Sequence, residues 1–224
     1  MRPAAWPRCE WPSIPNKKCP PGCQRRGGQF RKNMNMLQNS KQIVNDEDAS
    51  DRLIPINVFA DKFAETWTTQ TATVEMVAAA IGRNCVQSTD KGKVKLINFN
   101  QYRDGADSRK TVNIEWAHAV AGDWDKNFDQ VLFEQGMAEL ERTGAQVIAY
   151  QTYSHSPDAP RWRIFVFLGE PIPPADYRLC WEGLNDLFGG NLDPNAKDCA
   201  RLNYMRSCPP GQTREFRTLN IEVA

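Results

Sequence analysis

The sequence predicts an α+β fold, a split β-α-β sheet with an antiparallel hairpin and flanking helices. Three observations carry that reading. Four runs, VKLINFNQY, TVNIEWAHAVAGDWD, AQVIAYQTYSH and RWRIFVFLGEPI, are dense in β-branched and aromatic residues, the composition of strands on a pleated surface. Between the second and third lies DKNFDQVLFEQGMAELERTG, where Asn127 can cap, Phe128, Val131, Leu132 and Leu140 recur at helical spacing, and Gly144 ends the element. The third and fourth runs are separated only by SPDAP, a hairpin connection. A further helix, PADYRLCWEGLNDLFGG, precedes LDPNAKDCARLNYMRSCPP, and this order of elements places the helices on one face of the sheet.

The length and composition fit one core with at most a small accessory lobe: 224 residues, 41% of them hydrophobic. The formal charge of +1 hides an asymmetry. Of 28 Lys and Arg and 27 Asp and Glu, residues 1–33 hold eight bases and the single acid Glu10, which leaves 20 bases against 26 acids in the body. A chain that grips nucleic acid by bulk charge is basic throughout, so any such contact here must come from a localised groove. No stretch approaches the roughly 20 apolar residues of a membrane span, and the start lacks the apolar stretch of a secretory signal, so a cytoplasmic protein with no membrane partner is expected. Seven cysteines, an odd number, suggest free thiols rather than a disulfide framework.

Residues 1–33 carry six of the fifteen prolines and three of the seven cysteines without periodicity, and are expected to be a disordered basic tail. Cys9, Cys19 and Cys23 could be three zinc ligands, although C-x3-C is a loose spacing and neither histidine is near. Met34 or Met36 is an alternative natural start. Residues 34–89 are expected to form a helical accessory segment with two helices between Ile54 and Gly82. Val58, Phe59, Phe63 and Trp67 mark the first, Val74, Met76, Val77 and Ala80 the second. Residues 90–224 then form the core.

Three elements carry chemistry. Asp123 and Asp125, in Gly122-Asp123-Trp124-Asp125 at a strand end, point to the same side at i, i+2 spacing and can approach one cation; alone, D-x-D also fits a polar strand-to-helix turn. Thr152-Tyr153-Ser154-His155-Ser156-Pro157 ends the neighbouring strand, and Arg161-Trp162-Arg163 opens the return strand. Hydroxyl, imidazole and guanidinium together are the donors a triphosphate needs. His118, inside AHAVA, reads as a satisfied core histidine. The third element, Leu192 to Leu202, supplies an acid at Asp193 or Asp198 and a cation at Arg201.

In this order, over about residues 90 to 210, the three elements resemble the archaeo-eukaryotic primase superfamily, more closely the primase-polymerase domains of plasmids, phages and other mobile replicons. The resemblance implies an RRM-like catalytic core and a DNA primase-polymerase, a nucleotidyltransferase joining nucleoside triphosphates on a single-stranded DNA template. It implies catalytic and metal-ligating roles for Asp123, Asp125 and Asp193, with two ions, Mg2+ or Mn2+, about 3.5 to 4 Å apart. It implies that Ser154, His155, Arg163 and Arg201 bind the nucleotide. Template, primer, dNTP or NTP, and a helicase domain or protein would be the partners, and a bacterial host the setting. The family's second motif is often Ser-x-His; here Tyr153 stands at that serine's position. Removing Asp123 or Asp125 is expected to abolish incorporation and leave the fold intact. With no G-x-x-x-x-G-K-[ST] string, no ATP-driven unwinding is expected.

Two other classes compete. A rolling-circle initiator or relaxase-type endonuclease would need clustered histidines and a nucleophilic tyrosine, whereas His118 and His155 stand far apart and no His-x-His occurs. A non-catalytic nucleic-acid-binding module would stack bases on exposed aromatics and have no use for three carboxylates.

Overall fold

The computed structural model describes residues 52–222, so the tail, its three cysteines and both alternative starts lie outside the described residues. Five strands form the main sheet: β5 (Asn100–Tyr102), β6 (Ile114–Trp124), β7 (Gln146–Gln151), β8 (Trp162–Ile172) and β11 (Phe216–Leu219), in the order β11-β7-β8-β6-β5. Every neighbour pair is antiparallel, so β6 and β7 run parallel to each other with β8 inserted between them. Helix α2 (Gln130–Thr143) makes the connection from β6 to β7, and α3 (Pro174–Leu187) follows β8. The cap of α2 is Asp129, whose carboxylate accepts from the Val131 and Leu132 amides, rather than the expected Asn127, which takes a left-handed φ of 51° in the turn before it. Gly144 closes the helix with φ 73°, as expected.

The first of the two expected helices near the N-terminus is not a helix. Ile54–Phe59 forms β1 and Thr68–Ala72 forms β2, an antiparallel hairpin with Ile54 opposite Ala72 and Val58 opposite Thr68. Phe59 and Trp67 match helical spacing but meet as a tilted ring pair, centroids 5.6 Å apart, and Phe63 stands exposed between the strands. The run IPINV is β-branched and holds a proline, and TTQTA is threonine-rich; both disfavour helix. The second helix is present as α1 (Val74–Arg83), capped by the Thr73 hydroxyl accepting from the Met76 amide at 3.3 Å.

The run VKLINFNQY divides between sheets. Its first part is β4 (Leu96–Asn98), which pairs with β1 and with β9 (Asn203–Tyr204) in a second sheet of order β2-β1-β4-β9. Its second part is β5 of the main sheet. A short parallel pair, β3 (Val86–Gln87) with β10 (Ser207–Cys208), ties the end of α1 to the C-terminal region. Both faces of the main sheet are therefore covered, where the sequence suggested one. On one face Trp124, Phe133, Trp162, Leu184 and Phe188 pack beneath α2 and α3; on the other, Ile148, Tyr150, Phe165 and Phe167 meet Ile54, Val77, Ile81 and Phe99. The period-2 alternation of β7 and β8 sets these two faces. Among the described residues no helix is long and apolar enough to cross a membrane.

Candidate active site

The polar residues gather where β6 ends and β8 begins, on the face that meets α1 and the smaller sheet. Asp123 and Arg163 are opposite one another in the β6–β8 ladder, and Arg163 is opposite Tyr150 in the β7–β8 ladder. Their side chains thus share one row of the sheet. Gly122 fits this site sterically: a Cβ there would stand 2.8 Å from Leu192 Cδ1 and 3.3 Å from Leu184 Cδ2, so only glycine lets α3 and the 192–201 segment approach the strand end.

Arg163 forks onto Asp123, Nε donating to Oδ1 at 2.6 Å and Nη2 to Oδ2 at 2.9 Å, while Nη1 donates to the Tyr204 carbonyl at 2.8 Å. Asp123 is 1% exposed and Arg163 6%. Burial by itself would raise the Asp123 carboxyl, but the charge and hydrogen bonds of Arg163, helped by Arg201 and Lys91, outweigh it and hold the group below its ordinary value. Burial likewise opposes the charge on Arg163, and Asp123 reverses that, so its pKa ends raised. Arg201 lies 3.5 Å from Asp123 and 3.2 Å from Asp193. The Asp193 amide donates to the Asp123 carbonyl at 2.6 Å, which docks the third acidic segment directly on the end of β6.

A cavity of about 100 Å³ opens here, lined by Lys91, Asp123, Asp125, Arg161, Arg163 and Arg201 with Tyr150, Thr152 and Tyr204 among its other walls. Four cations face two acids, and one of the acids is spent on Arg163. Lys91 and Arg161 have no carboxylate partner among the described residues, and Arg161 Nε is buried without a hydrogen-bond acceptor. Lys91 stands 4.9 Å over the Tyr204 ring; burial lowers its pKa, with Arg163 adding to the lowering and Asp125 opposing it. A larger cleft of about 610 Å³ adjoins, lined by Asp125, Asn127, Asn191, Asp193 and Asn195, and Asp125 belongs to both.

Asp123, Asp125, Arg163 and Arg201 are thus brought together, and Asp193 adjoins them through Asp125 and Arg201. Asp198 is turned away, accepting from the Thr111 hydroxyl at 3.4 Å beside a different groove. Ser154 and His155 lie in the turn between β7 and β8 and do not line the cation cavity. His155 Nδ1 accepts the Arg161 amide at 3.2 Å, which puts any ring proton on Nε2. Burial first and Arg214 second lower the His155 pKa, favouring that neutral ring. Behind the turn Arg214 donates to the Thr152, Tyr153 and His155 carbonyls at 2.9 to 3.2 Å. His118 is buried as expected, yet neither ring nitrogen has a partner among the described residues, and burial brings its pKa down to about 4.

The three acids do not fit a two-metal centre as they stand. Both Asp123 oxygens lie in the Arg163 fork, Asp193 is engaged by Arg201 and by the amide and side chain of Asn195, and among the described residues no group of three His, Cys, Asp or Glu is placed to hold an ion. Sequence reasoning noted Arg161 beside Arg163 without giving it a role of its own, and overlooked Lys91 and Arg214. Arg161 had a signal, since it shares the side of the strand that Arg163 occupies. Lys91, in the turn DKGKVK, had none, because its place depends on contact with Tyr204 more than a hundred residues away.

No protein-family model and no curated protein matches this chain. Among solved structures, the AEP domain of the primase-polymerase (PrimPol) of cyanophage S-2L is similar at 14% sequence identity, over 88% of this chain and 92% of that one, with a TM-score of 0.40. At that score the likeness carries no argument for function.

Proposed function

We propose that this chain is a nucleotidyltransferase of the primase-polymerase type, joining nucleoside triphosphates on a single-stranded DNA template. The observation that carries the reading is the cation-rich cavity abutting Asp125 at the end of the β6 D-x-D, with the larger cleft beside it. A volume of about 100 Å³ suits a phosphate group and is too small for a nucleoside, whereas the adjoining 610 Å³ is of the size that ligand pockets have. The polyphosphate would enter the first and the nucleoside the second, which sets the α-phosphorus near Asp125.

In this arrangement Lys91, Arg161 and Arg201 neutralise the triphosphate and hold it in line, so that catalysis comes from positioning and charge compensation. Arg163 is the fixed floor of the cavity rather than a free clamp, its fork being taken by Asp123. The Asp125 carboxylate accepts no hydrogen bond from a described residue and is the acid free to receive one from the attacking hydroxyl. His155 acts through the Arg161 backbone that it holds, and Ser154 adjoins it in the turn between β7 and β8. Asp193 sets Arg201 between the two pockets. The RRM-like reading of the core rests on β8 lying between β6 and β7.

The deciding experiment is incorporation of labelled nucleotide on a single-stranded template, with and without a primer, in Mg2+ and in Mn2+. Template-dependent products support the proposal, and products without a primer make the chain a primase. Template binding with no incorporation in either metal would leave a binding module, and a covalent protein-DNA adduct would identify a relaxase.

A further inference from the structure

Away from the cavity, two thiols face each other across the β3–β10 pair. Cys85 Sγ lies 3.1 Å from Cys208 Sγ, and Cys208 Sγ lies 3.0 Å from the Gln212 carbonyl, so the first thiol donates to the second and the second to the main chain. Cys208 is fully buried and Cys85 partly exposed. The backbone around them is already paired, with the Val86 amide on the Arg206 carbonyl at 3.1 Å and the Ser88 amide on the Cys208 carbonyl at 3.0 Å. The two other described cysteines lack such a neighbour: Cys180 is on the buried face of α3, in the core, and Cys199 Sγ donates to Asn100 Oδ1 at 3.7 Å.

We infer that Cys85 and Cys208 are a reversible oxidation site, closing to an intramolecular disulfide by exchange with a small-molecule disulfide such as oxidised glutathione. Cys85, the accessible member, attacks as its thiolate and forms a mixed disulfide, expelling one glutathione thiol. Cys208 then attacks the Cys85 sulfur and expels the second. Two electrons pass from the protein thiols to the oxidant, the two thiol protons end on the two glutathione molecules, and one S–S bond breaks for each one formed. Arg206 and Arg214 lie close enough to favour the Cys85 thiolate. Burial and the contact with Cys208 nonetheless push its pKa up to about 11, so exchange at neutral pH is slow.

The crosslink would reach the cavity through short connections. Three residues after Cys85, the Ser88 carbonyl accepts from the Tyr153 hydroxyl at 3.1 Å, and Lys91 follows three residues later; six residues after Cys208, Arg214 holds the Thr152–His155 turn. The bond therefore staples the two segments that flank that turn. This inference is independent of the nucleotidyl-transfer reading.

The test is peptide mapping of the full chain after incubation with oxidised glutathione, alkylation of remaining thiols and tryptic digestion without reduction. Cys85 lies in the tryptic peptide 84–91 and Cys208 in 207–214. The expected product is these two peptides joined and two hydrogens lighter than their sum, lost on adding dithiothreitol, absent from Cys85→Ser and Cys208→Ser, and retained in Cys180→Ser. Oxidised wild type should also melt about 5 to 10 °C higher than reduced, a shift missing from either serine variant at these positions. Recovery of both peptides alkylated or glutathionylated, or linked instead to the cysteines of residues 1–33, overturns the inference.

Discussion

Replacing Asp123 by Asn keeps the shape of the side chain and removes its charge, leaving the buried Arg163 guanidinium without its counter-charge. The side chains are only 2% and 7% exposed, so solvent screening offers little relief. Breaking one partner of a buried pair costs about 3 to 5 kcal/mol. At about 2 to 4 °C per kcal/mol for a domain of this size, the melting temperature should fall by roughly 6 to 20 °C. The expectation that removing an acid leaves the fold intact therefore fails for Asp123, because Asp123 is a counter-ion here and has no repelling acid to be relieved of. Asp125→Asn should cost no more than about 0.5 kcal/mol, as a surface substitution does, while still abolishing incorporation. Urea unfolding of Asp123→Asn, Arg163→Met and the double variant gives the coupling directly, and the double variant should recover much of the loss. The pH dependence has a defined sign. The folded carboxyl titrates below its unfolded value of about 3.9, so ionised Asp123 stabilises the fold above that pH and its contribution is lost as pH falls through the folded value. Asp123→Asn should lack this part of the acid limb. If its stability lies within about 1 kcal/mol of wild type at pH 7, the buried-pair reasoning is refuted.

Lys91→Met and Arg161→Gln should each weaken binding of inorganic tripolyphosphate about tenfold, the loss of one charge-assisted contact, with melting temperature little changed; isothermal titration reads this, and unaltered affinity in both would empty the proposed phosphate site. Gly122→Ala drives a Cβ against Leu192 and Leu184 and should destabilise by about 1 to 3 kcal/mol in denaturant unfolding, whereas a neutral result would mean that the 192–201 segment yields freely. Deletion of residues 1–33 should leave primed extension unchanged; loss of priming alone, sensitive to salt, would assign template or initiating nucleotide to that basic segment.

The centre of the main sheet was legible in the sequence because β6, β7 and β8 are apolar and β-branched, and because α2 carries both period and stop signal. The N-terminal hairpin was not. Its strands are half-polar, and what holds Ile54–Phe59 extended is long-range: Asn57 Nδ2 donates to Asn98 Oδ1 at 2.8 Å and to the Asn100 carbonyl at 2.6 Å, contacts that no local pattern announces. Apolar spacing alone could not separate a hairpin that packs Trp67 over the buried Phe59 from a helix that would have done the same.

The candidate site was legible for a different reason, and only in part. Asp123, Asp125 and Arg163 lie at strand ends, where residue spacing along one chain fixes the side of the sheet, so the i, i+2 rule finds them, whereas Asp193 caps a turn after α3. What the rule cannot supply is which cation meets which acid. Asp123 and Arg163 fall opposite one another only because β8 enters between β6 and β7 in this register, and a slip of one residue would have put Arg163 on the apolar face beneath α2 and α3. Register thus decides the chemistry: it turns Asp123 from a free metal ligand into the partner of a buried guanidinium, and passes the spare positive charge to Lys91 and Arg161. A site read from motif order alone would assign Asp123 and Asp125 equal roles. The ladder makes them unequal, one holding the floor of the cavity through Arg163 and the other lining both pockets without a hydrogen-bond partner among the described residues, and the contrast between their two asparagine variants is where that inequality becomes measurable.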